Sequence, residues 1–178
     1  METVHMRQKQ LVFPQFKPLT RLDHGGSIRT GRRKLMRPID PKKSIHLVLH
    51  STRAYGAWSM LRPKHFKRVR GVVDLNAKRF RVRVYQYANV GNHLHILVKV
   101  KKREDFQGFL RAISGTIARM ITGAKKGNPV GRFWDALAFT RVVSWRREFL
   151  AAKFYVIQNE MEAEGIWSRK WNRVRMRE

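Results

Sequence analysis

The chain has no cysteine, and only 12 acidic residues stand against 39 lysines and arginines in 178 positions. The first absence excludes disulfides, thiolate nucleophiles and cysteine-type zinc sites. The second argues against a two-metal nuclease built on carboxylates, which needs a cluster of Asp and Glu. No apolar run approaches the roughly 20 residues of a membrane span. The first ten residues also lack the apolar stretch of a secretory signal, so the expected location is the cytoplasm, with no membrane partner. What remains is a formal charge of +27, far beyond what solubility requires. The expected partner is therefore a polyanion, nucleic acid before a lipid surface. Hydrophobic residues make up 43% of the chain, enough for one globular domain with a proper core.

Residues 1–43 read as a basic, flexible N-terminal arm. They hold Pro14, Pro18, Pro38, Pro41, the Gly25-Gly26 pair and the cluster Arg32-Arg33-Lys34, which suits a strap along a phosphate backbone. Residues 167–178 read as a basic tail. Between them the periodicity predicts a strand over 44–52, where Ile45, Leu47 and Leu49 alternate with His46, Val48 and His50. A helix opens at Pro63 and fades near Asn76. A second strand follows over 79–90, with Phe80, Val82 and Val84 on one face and Arg79, Arg81, Arg83, Tyr85 and Tyr87 on the other. Gly91-Asn92 turns the chain into a third strand, 93–100. A helix over 104–122 carries Phe106, Phe109, Leu110, Ile113, Ile117 and Met120 on one stripe. A fourth strand over 137–144 precedes a last helix over 145–164, capped by Ser144 and closed by Gly165. The order β-α-β-β-α-β plus a helix predicts an α+β, ferredoxin-like antiparallel sheet with an additional C-terminal helix.

The most informative stretch is Asn92-His93-Leu94-His95-Ile96-Leu97-Val98. Residues two apart on a strand share a face, so both imidazoles project together while Leu94, Ile96 and Val98 back them. Such a pair is a ready-made set of metal ligands. The last helix has an apolar stripe of Leu150, Phe154, Ile157 and Met161. Tyr155 and Asn159 lie off it, one turn apart on a common face. Laid across the open sheet face, this helix would bring a phenol and a carboxamide to the histidines. Asn159 would then be a third ligand and Tyr155 a nucleophile beside the metal. Tyr85 and Tyr87, with Arg79, Arg81 and Arg83, suit stacking and phosphate contacts to an unpaired strand.

Asn92-His93-Leu94-His95-Ile96-Leu97-Val98 resembles the histidine-hydrophobic-histidine motif of the HUH single-strand DNA endonucleases. Tyr155-Val156-Ile157-Gln158-Asn159, followed by Ala163-Glu164-Gly165, resembles the catalytic helix of the one-tyrosine (Y1) transposases, in particular the IS200-like branch with the REP-associated tyrosine transposases. Phe133-Trp134-Asp135 and Val142-Val143 resemble the segment before that helix. The likeness spans residues 44–166, which it marks as the catalytic domain. It implies that His93, His95 and Asn159 hold Mg²⁺ or Mn²⁺. It further implies that Tyr155 attacks a DNA phosphate to give a 5′-phosphotyrosine link and a free 3′-hydroxyl, that the reverse attack rejoins strands, and that the substrate is single-stranded DNA with a hairpin or repeat. A homodimer is left open. The chain departs from the usual pattern at Val90-Gly91 and Glu160, neither of which is a ligand or nucleophile.

Two other classes compete. A non-catalytic single-strand RNA- or DNA-binding module with an RRM-like sheet fits the topology and the basic, aromatic face. That reading leaves the histidine pair idle. A 2H phosphoesterase needs two His-x-Thr/Ser motifs; His50-Ser51-Thr52 supplies one and His93-Leu94-His95 does not supply the second.

Overall fold

The computed structural model describes residues 22–26 and 35–166. Among these residues there are five strands, β1 (Asp23–His24), β2 (Ser44–His50), β3 (Arg83–Asn89), β4 (His93–Lys99) and β5 (Phe139–Val143). Three α-helices accompany them, α1 (Pro63–Arg79), α2 (Arg103–Thr122) and α3 (Arg147–Ala163). The strands form one antiparallel sheet in the order β1-β5-β2-β4-β3. Without β1 this is the expected ferredoxin-like plan. No described helix is long and apolar enough to cross a membrane.

Helices α1 and α2 cover one face. Pro63 starts α1, where a missing N–H costs nothing. His65, Val69, Val73, Asn76 and Ala77 are its buried residues, at helical spacing. Lys78 and Arg79 occupy its last turn, where cations meet the negative end of the helix dipole. Helix α2 buries Phe106, Phe109, Ile113, Ile117 and Ile121 and ends on Gly123 in the left-handed conformation (φ 70°). These side chains pack on Ile45, Leu47, Leu49, Leu94, Ile96 and Val98 of the sheet. Each large side chain buried there contributes about 1.5–3 kcal/mol. The opposite face holds a much smaller apolar cluster, Leu97, Val143 and Ala152 with Tyr85 and Phe149, under α3. The third helix is thus the more lightly held layer.

Three expectations change. Helix α1 runs on to Arg79, so Arg79 belongs to its last turn and not to a strand. Arg81 sits in the following turn at φ 53° and pairs with Asp105 of α2 at 3.8 Å; β3 begins only at Arg83. Helix α3 begins at Arg147, and Ser144 does not cap it: its backbone N–H donates to Glu148 Oε2 instead.

The described pieces of the expected arm are bonded to the edge of the sheet. Asp23 and His24 pair with Arg141 and Thr140 of β5. The His24 Nε2 donates to the Leu35 carbonyl at 2.9 Å, and the Arg37 guanidinium to Ala138 O at 2.9 Å and to Thr140 Oγ1. Burial lowers the Arg37 pKa to about 10. Arg103 of α2 in turn donates to the Arg37 carbonyl at 2.7 Å. The cluster Arg32, Arg33 and Lys34 lies outside the described residues, as does the 167–178 tail.

Candidate active site on the open sheet face

Register places the histidines. Cross-strand partners share a face, and β4 pairs with β2 so that His93 lies opposite His50, His95 opposite Val48 and Leu97 opposite His46. Four imidazoles therefore lie on the face away from α1 and α2. The His93 and His95 rings are 4.8 Å apart at 82°, and those of His50 and His93 are 5.9 Å apart. His46 stacks on His95 at 5.3 Å, with its Nε2 3.2 Å from His95 Nδ1.

Hydrogen bonds fix the chemistry of these rings. The His93 Nδ1 lies 2.6 Å from Asn92 Oδ1. An amide oxygen only accepts, so Nδ1 carries the proton and Nε2 keeps a lone pair. The His50 Nδ1 donates to Asp135 Oδ2 at 2.6 Å. Asp135 is held by the Thr52 backbone N–H (2.9 Å to Oδ1) and by the Thr52 hydroxyl (3.0 Å). Burial, and then the Arg141 charge, lower the His46 pKa to about 4. Burial, and then His50, do the same for His93, also to about 4. Both rings are neutral at pH 7, the form that binds metals.

Helix α3 crosses this face, and it does so on a side the sequence did not favour. Its buried residues are Ala152, Val156 and Asn159. The expected apolar stripe faces outward: Leu150 is 52% and Phe154 62% exposed, and Ile157 and Met161 are only half-buried. The sheet beneath is carpeted with rings, so small residues allow the closest approach. This orientation brings Tyr155 inward. Its ring lies 5.3 Å from that of His95 at 90°, and 6.0 Å from that of His46 at 80°. One turn on, Asn159 is buried, and its Nδ2 donates to the Tyr155 carbonyl at 2.7 Å. That bond commits the amide nitrogen and leaves Oδ1 as the donor atom for a cation. Two imidazoles and an amide oxygen suit a divalent metal. No group of three or more His, Cys, Asp or Glu is arranged as a metal site among the described residues. A metal here would therefore rest on the histidine pair and the amide.

The tyrosines of β3 separate. The register shifts between Val84 and Gln86, a bulge that inverts the alternation. Tyr85 stays on the open face, against Phe149 (5.1 Å) and Trp145 (5.6 Å). Tyr87 turns to the helix side, is 5% exposed and lies beneath the Arg70 guanidinium. It therefore cannot stack a base as expected, and burial pushes its phenol pKa up. Arg79 and Arg81 drop out of the expected ladder with the later start of β3. Arg83 remains, its guanidinium 5.0 Å over the Tyr85 ring. Two residues the sequence reading missed join this corner: Trp145, and Lys99 with its ammonium 5.0 Å over the indole.

The family model described as "Transposase IS200 like" matches residues 42–161. No curated protein sequence matches the chain. Among solved structures, a REP-associated tyrosine transposase bound to a REP hairpin is 12% identical, with 76% of each chain covered and a TM-score of 0.58. A protein of Deinococcus radiodurans R1, described as a candidate transposase, is 15% identical, with 72% of this chain and 98% of that one covered and a TM-score of 0.43.

Proposed function

Because the chain belongs to the family of IS200-like transposases, enzymes that cut and transfer DNA strands, we propose that Tyr155 is its nucleophile and that His93, His95 and Asn159 hold a divalent metal, Mg²⁺ or Mn²⁺. One relationship carries this reading: the Tyr155 ring stands edge-on to His95, one helical turn from Asn159. The Tyr155 oxygen attacks a DNA phosphorus, the bond to the 3′-oxygen breaks, and a proton is left on that oxygen. The products are a 5′-phosphotyrosine and a 3′-hydroxyl. The phosphoester in the adduct conserves the energy for rejoining. A bound cation would neutralise charge that develops on the phosphate. His46 behind His95, and Asn92 behind His93, engage Nδ1 of each ring, so each would hold a metal through Nε2. The substrate is an unpaired strand beside a DNA hairpin. The open face supports this, with Arg83, Tyr85, Trp145 and Lys99 forming a cationic, aromatic corner suited to single-strand bases.

The test is adduct formation on a hairpin oligonucleotide labelled at its 3′ end. The wild-type chain should yield a labelled protein band on a denaturing gel. Tyr155→Phe keeps the ring and its packing and should bind the oligonucleotide but give no band. An adduct that persists in Tyr155→Phe, or that maps to Tyr85 or Tyr87, overturns the assignment.

A further inference from the structure

Helix α2 lies on the layer opposite the histidines, and its outward face is cationic. Gln107, Arg111, Gly115 and Arg119 are exposed at intervals of four residues, so they stand in one row. A groove of about 380 Å³ runs beside this row, lined by Arg111, Gly115, Thr116, Arg119, Thr122 and Gly131 among others. Its positive charge is unopposed. Between Asp105 and Asp135 the sequence holds Arg111, Arg119, Lys125, Lys126 and Arg132 and no acidic residue. No ion pair reaches Arg111 or Arg119 among the described residues. The Arg111 Nε donates a long bond, 3.4 Å, to the Gln107 carbonyl, which uses one of its five N–H groups.

Gly115 stands between the two arginines. A glycine in the middle of a helix destabilises it relative to alanine. No packing within the protein asks for it here, since a Cβ at Gly115 would meet nothing within 4 Å. What the missing side chain leaves is a flat floor between two guanidinium groups, on which an outside backbone can lie. The groove offers bases no stacking platform, because the ring in its lining, Phe133, is buried. A single strand would find no partner there for its bases, whereas a duplex keeps them inside and presents phosphates alone. We propose that the outward face of α2 binds the backbone of a second, double-helical DNA without regard to sequence, while the open sheet face holds the unpaired strand.

Arg111 and Arg119 are two turns apart, about 12 Å at 1.5 Å per residue, so they meet different phosphates of one backbone. Lys125 and Lys126, exposed just past the end of α2, extend the same charge. The sheet separates this surface from the histidines, so the two DNA segments lie on opposite sides of the molecule. The assignment rests on α2 alone and does not depend on Tyr155 being the nucleophile.

A bridging assay with the full chain tests this in EDTA, where binding is read without cleavage. An unpaired oligonucleotide is fixed to beads and loaded with protein, and a fluorescent blunt duplex is then added. The wild type should retain the duplex, and beads without protein should not. Arg111→Ala with Arg119→Ala should lower duplex affinity by roughly tenfold and flatten the dependence of log K on log salt by about 1.8, the share of two phosphate contacts. Its affinity for the unpaired oligonucleotide should stay unchanged. Gly115→Glu leaves both arginines in place and meets open space, so it should melt like the wild type yet lose the duplex. Duplex binding that is unchanged in these variants overturns the proposal. So does an equal loss of duplex and unpaired strand, which marks one shared surface or a general effect of charge. Displacement of the duplex by free unpaired oligonucleotide as readily as by unlabelled duplex also overturns it, because the duplex would then sit on the sheet face of another copy.

Discussion

His46 sets the orientation of His95: the two rings stack 14° from parallel, and Nε2 of one lies 3.2 Å from Nδ1 of the other. The contact joins neighbouring strands across a diagonal of the sheet and engages Nδ1, so in the proposed site a metal held by His95 would be met by Nε2. A residue outside the His-x-His motif thus governs one of its two members.

Loss of that support should weaken the metal without removing it. His46→Ala should require roughly 10–100-fold more Mg²⁺ or Mn²⁺ for the same cleavage rate. His95→Ala should not be rescued at any metal concentration, and EDTA should reproduce that loss in the wild type. Oligonucleotide binding should persist in all three cases, because many lysines and arginines supply it. Metal titrations of the cleavage rate decide the matter; an unchanged dependence in His46→Ala would refute the positioning role.

Acid should destabilise the metal-free protein over a defined window. His46 and His93 resist protonation in the fold until about pH 4, whereas the unfolded chain takes up protons near the ordinary 6.5. The unfolded state therefore binds more protons between these values, and stability falls as pH drops from about 6.5 to 4. Each tenfold difference in proton affinity is worth about 1.4 kcal/mol. Melting temperatures across this range should decline, and His46→Gln should flatten the decline.

The two tyrosines of β3 should behave differently. Trp145→Ala and Tyr85→Ala should weaken binding to single-stranded DNA by roughly tenfold each, the scale of one lost base stack. Tyr87→Phe should leave that affinity unchanged, because the ring lies on the helix side. Fluorescence anisotropy with an unpaired oligonucleotide would show it, and a strong effect at Tyr87 would contradict the bulge.

Two N-terminal truncations should part company. Removal of residues 1–21 takes basic residues from the chain and should flatten the salt dependence of DNA binding while the melting temperature holds. Removal of residues 1–43 also strips β1 and the Arg37 bonds from β5. It should lower the melting temperature by several degrees, as the buried Thr140 loses its donor.

Much of this architecture was legible because period-2 and period-3.6 patterns survive wherever one face is buried. The β4 run His93-Leu94-His95-Ile96 has no bulge, so its faces could be read residue by residue. The β3 run could not, because Val84-Tyr85-Gln86-Tyr87 suits either phase: a tyrosine is at home under a helix or on a wet face. Helix α3 defeated the rule that the most apolar stripe is buried, since the ring-lined sheet favours Ala152 and Val156 over Leu150 and Phe154. The clamp between His50 and Asp135 links residues 85 positions apart and has no local signature. The two-residue β1 is too short to leave any periodicity.

That short strand changes how the sheet meets its surroundings. A β-strand with an unpaired border invites strand addition from any passing chain. Here Asp23 and His24 occupy the outer border of β5, and Arg37 takes up the Ala138 carbonyl just before it. The sheet's border on that side is therefore a strand of two residues, too short a template for a neighbouring chain to extend.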